Sequence, residues 1–333
     1  MKTISIVVPC YNEEAVLPST LEKLQSLLQD LVEKGKVAPN SCIVFVDDGS
    51  RDGTWSLIEA ASRSSEQIEG IKLSRNRGHQ NALLAGLLTV GGDAVVSIDA
   101  DLQDDPEVIE RMIDLFDQGK EIVYGVRTSR QKDTWFKRTT ARLFYRLARW
   151  GNPDMVADHA DFRLMSRRAI EELRQFPEVN LYLRGMVTLI GFPTATVTYE
   201  RGEREGGTTK YPLRKMVSFA FDGISSFSAW PLRAITLIGL LTFLGCLGIT
   251  AWATYIRFFT DRAIPGWAST VMPIYTIGAI QILCIGVVGE YLAKVYGEVK
   301  GRPRFIVEKA TRALESQSHP DFQTQRTETK SEP

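Results

Sequence analysis

Residues 94–103 read Ala-Val-Val-Ser-Ile-Asp-Ala-Asp-Leu-Gln, an apolar run that ends in two carboxylates one residue apart. The apolar part has the length and composition of a buried strand. Two carboxylates at this spacing suit a hard divalent cation, because Mg²⁺ and Mn²⁺ prefer oxygen ligands and can bridge to diphosphate oxygens. Gln103 can add a neutral oxygen on the same side. The sequence therefore predicts a Mg²⁺ or Mn²⁺ site formed by Asp99, Asp101 and Gln103.

The pattern of short apolar runs and helix-like segments extends on both sides of this stretch. Strands are predicted at residues 4–9, 42–46, 71–73, 94–98 and 121–125. Helices are predicted between them, at residues 14–31, 55–61, 79–90 and 106–118. Strands that alternate with helices predict a Rossmann-like α/β domain with a mainly parallel, doubly wound sheet. Ligands of such sheets bind beyond the carboxyl ends of the strands.

Two further polar clusters follow predicted strands. Residues 9–14 read Pro-Cys-Tyr-Asn-Glu-Glu, in which Tyr11 can stack on a base and its polar neighbours can bind a ribose. Glu13 and Glu14 could equally be first-turn acids favoured by the helix dipole. In residues 47–50, Asp-Asp-Gly-Ser, an acid can accept a hydrogen bond from a base N–H, although a tight turn with a helix cap explains the same residues.

Composition narrows the class of protein. The chain has 333 residues, with 40 Lys and Arg against 40 Asp and Glu, so its net charge indicates no nucleic-acid partner. Its four cysteines are far apart and show no metal-ligand spacing, which favours reduced thiols and a cytosolic catalytic part. Three histidines are too few and too scattered for a histidine-based metal site.

Two long apolar runs, in residues 232–255 and 271–288, predict transmembrane helices. Each is long enough to cross a hydrocarbon layer of about 30 Å, and a pair of buried core helices is the alternative. Lys and Arg flank the pair on both sides, which places the catalytic domain in the cytosol by the positive-inside rule. We therefore expect an integral membrane protein, with the bacterial inner membrane as the favoured location.

The predicted organisation has six parts. A cytosolic catalytic domain spans residues 1–210, and an amphipathic juxtamembrane helix, or an ordinary docking helix, spans 211–230. Transmembrane helices at 231–256 and 270–293 are joined by a connector at 257–269. A cytosolic tail at 294–333 ends in a polar segment for which we predict disorder.

A basic, glycine-containing loop precedes the predicted membrane region. It carries Arg201, Arg204 and Lys210 around Gly206 and Gly207. Cations on such a loop can close over phosphate groups. A solvated linker or a contact with lipid headgroups would have the same composition.

Taken together, these motifs resemble the inverting nucleotide-diphospho-sugar glycosyltransferases with the A-type (GT-A) fold. Within that family the chain is similar to the polyprenyl-phosphate glycosyltransferases, which include dolichol-phosphate mannosyltransferase and bactoprenol glucosyltransferases. The resemblance covers about residues 3–300, and two C-terminal spans favour the bactoprenol branch. It rests on six motifs in order: Pro-x-Tyr-Asn-Glu, Asp-Asp-Gly-Ser, Asp-Ala-Asp-Leu-Gln, Tyr-Gly-x-Arg, Asp-Phe-Arg-Leu and Arg-x₅-Lys.

The resemblance implies roles for individual residues. Donor-binding positions are Pro9, Tyr11, Glu13, Asp47, Asp48, Asp99, Ala100, Asp101 and Gln103. Positions near the acceptor phosphate or diphosphate are Arg127, Arg201, Arg204 and Lys210. Catalytic positions are Arg127 together with Asp158 and Asp161, of which we expect Asp158 to face the sugar. Many relatives have Gly where this chain has Ala160, which leaves the choice between the two acids open.

The function implied by the resemblance is transfer of a hexose from a nucleotide sugar to polyprenyl (undecaprenyl or dolichyl) phosphate. UDP-glucose is the favoured donor, with GDP-mannose, UDP-galactose or a modified arabinose as alternatives. A homo-oligomer, with a tetramer favoured, is implied as well. A processive polysaccharide synthase is a competing hypothesis, although such enzymes usually carry a Gln-x-x-Arg-Trp motif that this chain lacks. A non-catalytic lipid-flipping or scaffold protein is a third, against which the intact acidic and basic motifs argue.

Overall fold

The computed structural model describes residues 1–127, 159–178, 183–200 and 266–311, and ten residues between 235 and 248. The chain divides into two compact units. One comprises Met1–Thr140, Asp154–Lys210 and Pro303–Pro333, and the other Ala141–Pro153 and Tyr211–Arg302. The functional clusters that the sequence predicts in the described residues all lie in the first unit.

An eight-stranded sheet forms the first unit. Its strands are β1 (Ile4–Cys10), β2 (Cys42–Asp47), β3 (Ile68–Leu73), β4 (Ala94–Ser97), β5 (Ile122–Arg127), β6 (His159–Ser166), β7 (Thr194–Tyr199) and β8 (Val307–Ala310). They lie in the order β7-β5-β6-β4-β1-β2-β3-β8. The sheet is mainly parallel, as predicted, but β6 and β8 run antiparallel to their neighbours.

Helices connect the strands. In the first unit they are α1 (Leu17–Glu33), α2 (Thr54–Ser64), α3 (His79–Thr89), α4 (Val108–Asp117), α5 (Arg167–Arg174) and α6 (Leu183–Leu189). The five predicted strands and four predicted helices of the first 125 residues are all present, with ends shifted by a few residues. The strands and helices that follow residue 158 in this unit were not predicted.

The core explains why these segments become strands. All seven residues of β1 are buried, as expected for a central strand covered by helices on both faces. On α1 the buried residues include Leu17, Leu24, Leu28 and Leu31, which repeat at helical spacing and form the predicted apolar stripe. Because β1 is buried on both faces, its position in the sheet is fixed. The residues that follow its carboxyl end are therefore fixed at one edge of the sheet.

The second unit contains α7 (Gly266–Val299), a helix of 34 residues that carries Pro273 in its interior. Its span includes residues 270–293, the second predicted transmembrane helix. In the described part of the chain, no helix has both the length and the apolar character needed to cross a membrane. Both predicted spans therefore stay predictions, and the predicted juxtamembrane helix at 211–230 lies outside the described residues.

Helix α3 lies unusually close to the sheet at one position. A Cβ on Gly86 would come within 2.3 Å of Val7 Cγ1 and 3.0 Å of Val46 Cγ2. Both valines belong to buried strands, so neither side chain can move away freely. The missing side chain at Gly86 therefore lets α3 pack directly on β1 and β2.

Gly86→Ala tests this close approach. Alanine in a helix interior normally stabilises by about 0.5–1 kcal/mol relative to glycine. Here we expect the opposite sign, with a loss of roughly 1–3 kcal/mol from overpacking. The measurement is thermal unfolding of the purified full-length protein. Gly286→Ala in α7 is the control, since a Cβ there meets nothing within 4 Å. If Gly86→Ala were as stable as the wild type or more stable, the close packing of α3 on β1 and β2 would be contradicted.

Candidate functional site

The polar clusters meet at one edge of the sheet because of strand direction. Strands β1, β2, β4 and β5 are parallel, so their carboxyl ends share an edge. Strand β6 runs in the opposite direction between β4 and β5, so its first residues lie at this same edge. The register pairs Ser97, the last residue of β4, with Arg163 on β6. Beyond it, the carboxylates of Asp99 and Asp161 both lie within 3.6 Å of His79 Nε2.

Hydrogen bonds join the loop after β1 to the loop after β2. The backbone N–H of Asn12 donates to Ser50 Oγ at 2.9 Å, and the Arg51 N–H donates to Asn12 Oδ1 at 2.9 Å. Asn12 has φ of 54°, a left-handed conformation that asparagine tolerates better than most residues. Beside it Tyr11 is 41% exposed, which leaves its ring accessible for stacking on a base.

Asp47 and Asp48 at the end of β2 are both buried but have different surroundings. Asp47 Oδ1 accepts from the Ser50 N–H at 3.0 Å, while Oδ2 has no hydrogen-bond partner in the described part of the chain. Burial raises the pKa of Asp47. Asp48 uses both oxygens on the backbone, accepting from the N–H groups of Arg77 at 2.7 Å and Gly78 at 2.8 Å. Asp47 therefore has one buried oxygen without a donor in the described residues, whereas both oxygens of Asp48 hold the loop before α3.

Burial alternates along the Asp-Ala-Asp stretch, which begins a turn after β4. Ala100 is buried in the core, and its carbonyl accepts from Thr20 Oγ1 at 2.7 Å. Asp99 and Asp101 on either side of it are partly exposed. Leu102 has φ of 43°, a turn conformation rare for a branched side chain. The turn brings the Gln103 N–H to Asp101 Oδ1, at 3.3 Å.

The donor set at this edge fits a divalent cation held jointly with a substrate. No group of three or more His, Cys, Asp or Glu side chains in the described residues could hold a metal alone. Mg²⁺ is usually bound through one or two carboxylates together with substrate phosphates, so two acids and an amide suffice. Partial burial raises the pKa of Asp99; the charge of His79 opposes the rise, and the charges of Asp161 and Asp104 add to it. A cation would relieve this crowding of carboxylates.

Asp104 does not cap α4, in contrast to what its position before Pro106 predicts. It is buried and accepts from Tyr199 Oη at 2.6 Å and from Arg127 Nη2 at 3.0 Å. Asp105 makes the cap-like bond instead, accepting from the Glu107 N–H at 3.0 Å. Arg127 is therefore already paired with a carboxylate, although 29% of its side chain is exposed.

Asp161 is the most heavily paired acid of the site. Its carboxylate accepts from Arg163 Nη2 at 2.6 Å and from Arg184 Nη2 at 3.1 Å, and His79 Nε2 lies 3.6 Å away. Burial alone would raise the pKa of Asp161, but the nearby His79 and the charges of Arg184 and Arg163 hold it well below its usual range. A carboxylate held by two arginines is a fixed structural group and a poor proton acceptor.

Four predicted site residues, Asp158, Arg201, Arg204 and Lys210, lie outside the described residues, and their roles stay predictions. Conversely, sequence reasoning missed His79, Arg184 and Tyr199. His79 directly follows Gly78 at the start of a predicted helix, and a polar residue there was a usable signal. Arg184 and Tyr199 gave no such signal, because the segments that carry them were not predicted.

Several known proteins are similar to this chain. A family model described as "Glycosyl transferase family 2" matches residues 5–174. The "Uncharacterized glycosyltransferase YkoT" of Bacillus subtilis is 48% identical over 307 residues, which are 92% of this chain and 91% of that protein. The "SfII prophage-derived bactoprenol glucosyl transferase" of Shigella flexneri is 38% identical over 313 residues, 93% of this chain and 98% of that protein.

Among solved structures, mannosyl-3-phosphoglycerate synthase from Rubrobacter xylanophilus is similar at 17% identity with a TM-score of 0.48. The match covers 81% of this chain and 80% of that one. A likeness this weak carries no argument about activity.

Asp161→Asn tests the anchor role. The substitution keeps the shape but leaves Arg163, which is 1% exposed, without a buried counter-charge. Breaking a buried ion pair in this way costs about 3–5 kcal/mol, so we expect a clear fall in the free energy of unfolding. Asp101→Asn is the matched control, because its carboxylate is only partly buried and should affect ligand binding more than folding. Equal unfolding temperatures for the two variants would refute the assignment.

Tyr199→Phe tests the contact between β7 and Asp104. The change removes the hydroxyl that donates to Asp104 Oδ1 and leaves a buried carboxylate oxygen short of one donor. We expect a loss of roughly 1–3 kcal/mol in the free energy of unfolding, measured by denaturant titration. Tyr296→Phe in α7, where the side chain is 60% exposed, should change nothing. A Tyr199→Phe protein as stable as this control would show that the hydroxyl contributes little.

Proposed function

Because the chain belongs to glycosyl transferase family 2, we propose that it transfers a hexose from a nucleotide sugar to polyprenyl phosphate. Glucose from UDP-glucose is the proposed donor, and undecaprenyl or dolichyl phosphate the proposed acceptor. The product would be a lipid-linked sugar that serves glycan or O-antigen modification. Support comes from the relatives named bactoprenol glucosyl transferase, which are 38% identical over almost their whole length.

One observation in the structure carries the proposal. Asp99 and Asp101 follow β4 and are partly exposed, and Asp47 ends β2 at the same edge with one carboxylate oxygen that has no partner in the described residues. A nucleoside diphosphate needs a base-binding acceptor and a cationic diphosphate site at one edge of the sheet. Asp47 would supply the acceptor, and a cation held by Asp99 and Asp101 would supply the positive charge.

The proposed reaction is a direct displacement with inversion at the anomeric carbon. An oxygen of the lipid phosphate forms a bond to that carbon while the bond to the β-phosphate oxygen of UDP breaks, and UDP leaves with the electron pair. The acceptor phosphate is already ionised near neutral pH, so no strong general base is needed. Asp158 would then orient the sugar or stabilise oxocarbenium character.

Asp99, Asp101 and Gln103 would hold a Mg²⁺ or Mn²⁺ ion against the donor diphosphate. Such an ion supplies Lewis-acid stabilisation of the charge that develops on the leaving group. Gln103 is buried, and its backbone N–H donates to Asp101 Oδ1.

Basic residues would position the acceptor phosphate. Arg127 lies at the end of β5, where its pairing with Asp104 fixes the guanidinium but leaves part of it exposed. Arg201, Arg204 and Lys210, which lie outside the described residues, would add further positive charge. The gain from this arrangement is proximity and electrostatic stabilisation, which usually account for most of an enzyme's rate enhancement.

The proposed location is a membrane, the bacterial inner membrane in particular, with the catalytic domain on the cytosolic side. It rests on the two apolar runs and their basic flanks in the sequence. A homo-oligomer, with a tetramer favoured, is proposed on the family resemblance alone.

The test is a donor panel on membranes that contain the full chain. Membranes are incubated with polyprenyl phosphate, Mg²⁺ and radiolabelled UDP-glucose, UDP-galactose or GDP-mannose, then extracted with organic solvent. We expect acid-labile label in the lipid fraction from UDP-glucose and its loss after chelation of the metal. Long polymer would instead indicate a polysaccharide synthase, and no label from any donor would refute the proposed activity.

Asp101→Ala and Asp158→Ala should each abolish lipid labelling. Arg63→Gln, an exposed change on α2, is the control and should leave labelling unchanged. Near-normal turnover of either acidic variant with saturating Mg²⁺ would show that its assigned role is wrong.

A further inference from the structure

His79 is the first residue of α3, and the loop before it is tightly held. Asp48 accepts from the N–H groups of Arg77 and Gly78, and Gly78 has φ of 89°, which favours glycine. The chain therefore enters α3 from β3 along a path that Asp48, just after β2, holds in place. This path sets the position of the His79 side chain.

The imidazole lies between two carboxylates from different strands. His79 Nε2 is 3.5 Å from Asp99 Oδ1 and 3.6 Å from Asp161 Oδ2. Asp99 follows β4 and Asp161 belongs to β6. One nitrogen thus bridges the predicted metal ligand Asp99 and the anchored acid Asp161.

The placement of His79 runs against the helix dipole. The N-terminus of a helix carries partial positive charge and disfavours a cation. Two carboxylates nevertheless lie within 3.6 Å of Nε2, one after β4 and one on β6. These two acids are therefore the partners that this side chain faces.

We propose that His79 is a positioning residue of the donor site, which holds Asp99 in the orientation that binds the metal-diphosphate group. Groups that hydrogen-bond to metal ligands fix the ligand's direction, and their loss typically weakens metal affinity about 10–100-fold. Asp161 cannot shift, because Arg163 and Arg184 hold it. His79 therefore transmits the position of this rigid acid to Asp99. The inference rests on the proposed function.

His79 also links the two halves of the donor site. Asp48, at the end of β2, fixes the loop that carries His79, and His79 in turn contacts Asp99 at the end of β4. The nucleoside side and the diphosphate side of the edge are thereby joined through one short segment, residues 77–79.

The test compares His79→Gln with His79→Asn in the full-length protein. A glutamine amide reaches about as far as Nε2 and can donate to either carboxylate, whereas asparagine is polar but too short. Binding of Mn²⁺ in the presence of UDP is measured by the loss of the free-ion electron paramagnetic resonance signal. We expect Mn²⁺ affinity to fall about 10–100-fold in His79→Asn and to stay near wild type in His79→Gln.

Unfolding temperature is recorded for each protein, with Arg63→Gln as the surface control. Equal Mn²⁺ affinity in wild type and His79→Asn would overturn the inference, even if the variant were less stable. An equal loss of affinity in His79→Gln and His79→Asn would overturn it as well, since a group of the right reach would then fail to restore the ligand. A wild type that binds no Mn²⁺ with UDP would instead overturn the proposed function together with the inference.

Discussion

The buried carboxylate of Asp161 joins three separate elements of the fold. It lies on β6, pairs with Arg163 on the same strand and with Arg184 on α6, and faces His79 on α3. A charge removed from water is very unfavourable unless it is paired and hydrogen-bonded. The two helices and the strand must therefore keep their relative positions for the carboxylate to remain buried. The register of β4 against β6 then places Asp99 beside this fixed point.

The acids at this edge of the sheet differ in whether their counter-charges are permanent. Asp104 has Arg127, and Asp161 has two arginines, so these buried acids carry permanent partners. Asp99 instead faces a histidine, whose positive charge depends on its protonation. Of these three acids, Asp99 has the weakest permanent compensation, and it is a member of the predicted metal pair. A cation at Asp99 would supply the missing charge.

Local patterns predicted the first five strands and the four helices between them because each has its own apolar period and a clear turn signal. They also predicted which strand ends carry acids, and the family inferred from the motifs is confirmed. They could not predict the antiparallel β6 between β4 and β5, since that pairing joins segments more than sixty residues apart along the chain. For the same reason the meeting of Asp99, Asp161 and His79 was not foreseen.

The run from Asp99 to Asp105 shows where sequence reasoning reaches its limit. It holds four aspartates, of which the sequence predicts Asp99 and Asp101 as metal ligands and Asp104 and Asp105, before Pro106, as helix-cap residues. In the structure the turn at Leu102, with φ of 43°, divides them. Asp99 and Asp101 remain at the open edge, Asp104 turns inward to Arg127 and Tyr199, and Asp105 bonds the first turn of α4. The turn at Leu102 therefore separates the partly exposed pair from the two acids that bond to Arg127, Tyr199 and the start of α4. Asp104 was mispredicted because its partners, Arg127 and Tyr199, lie far from it in the sequence, where a local pattern cannot show them.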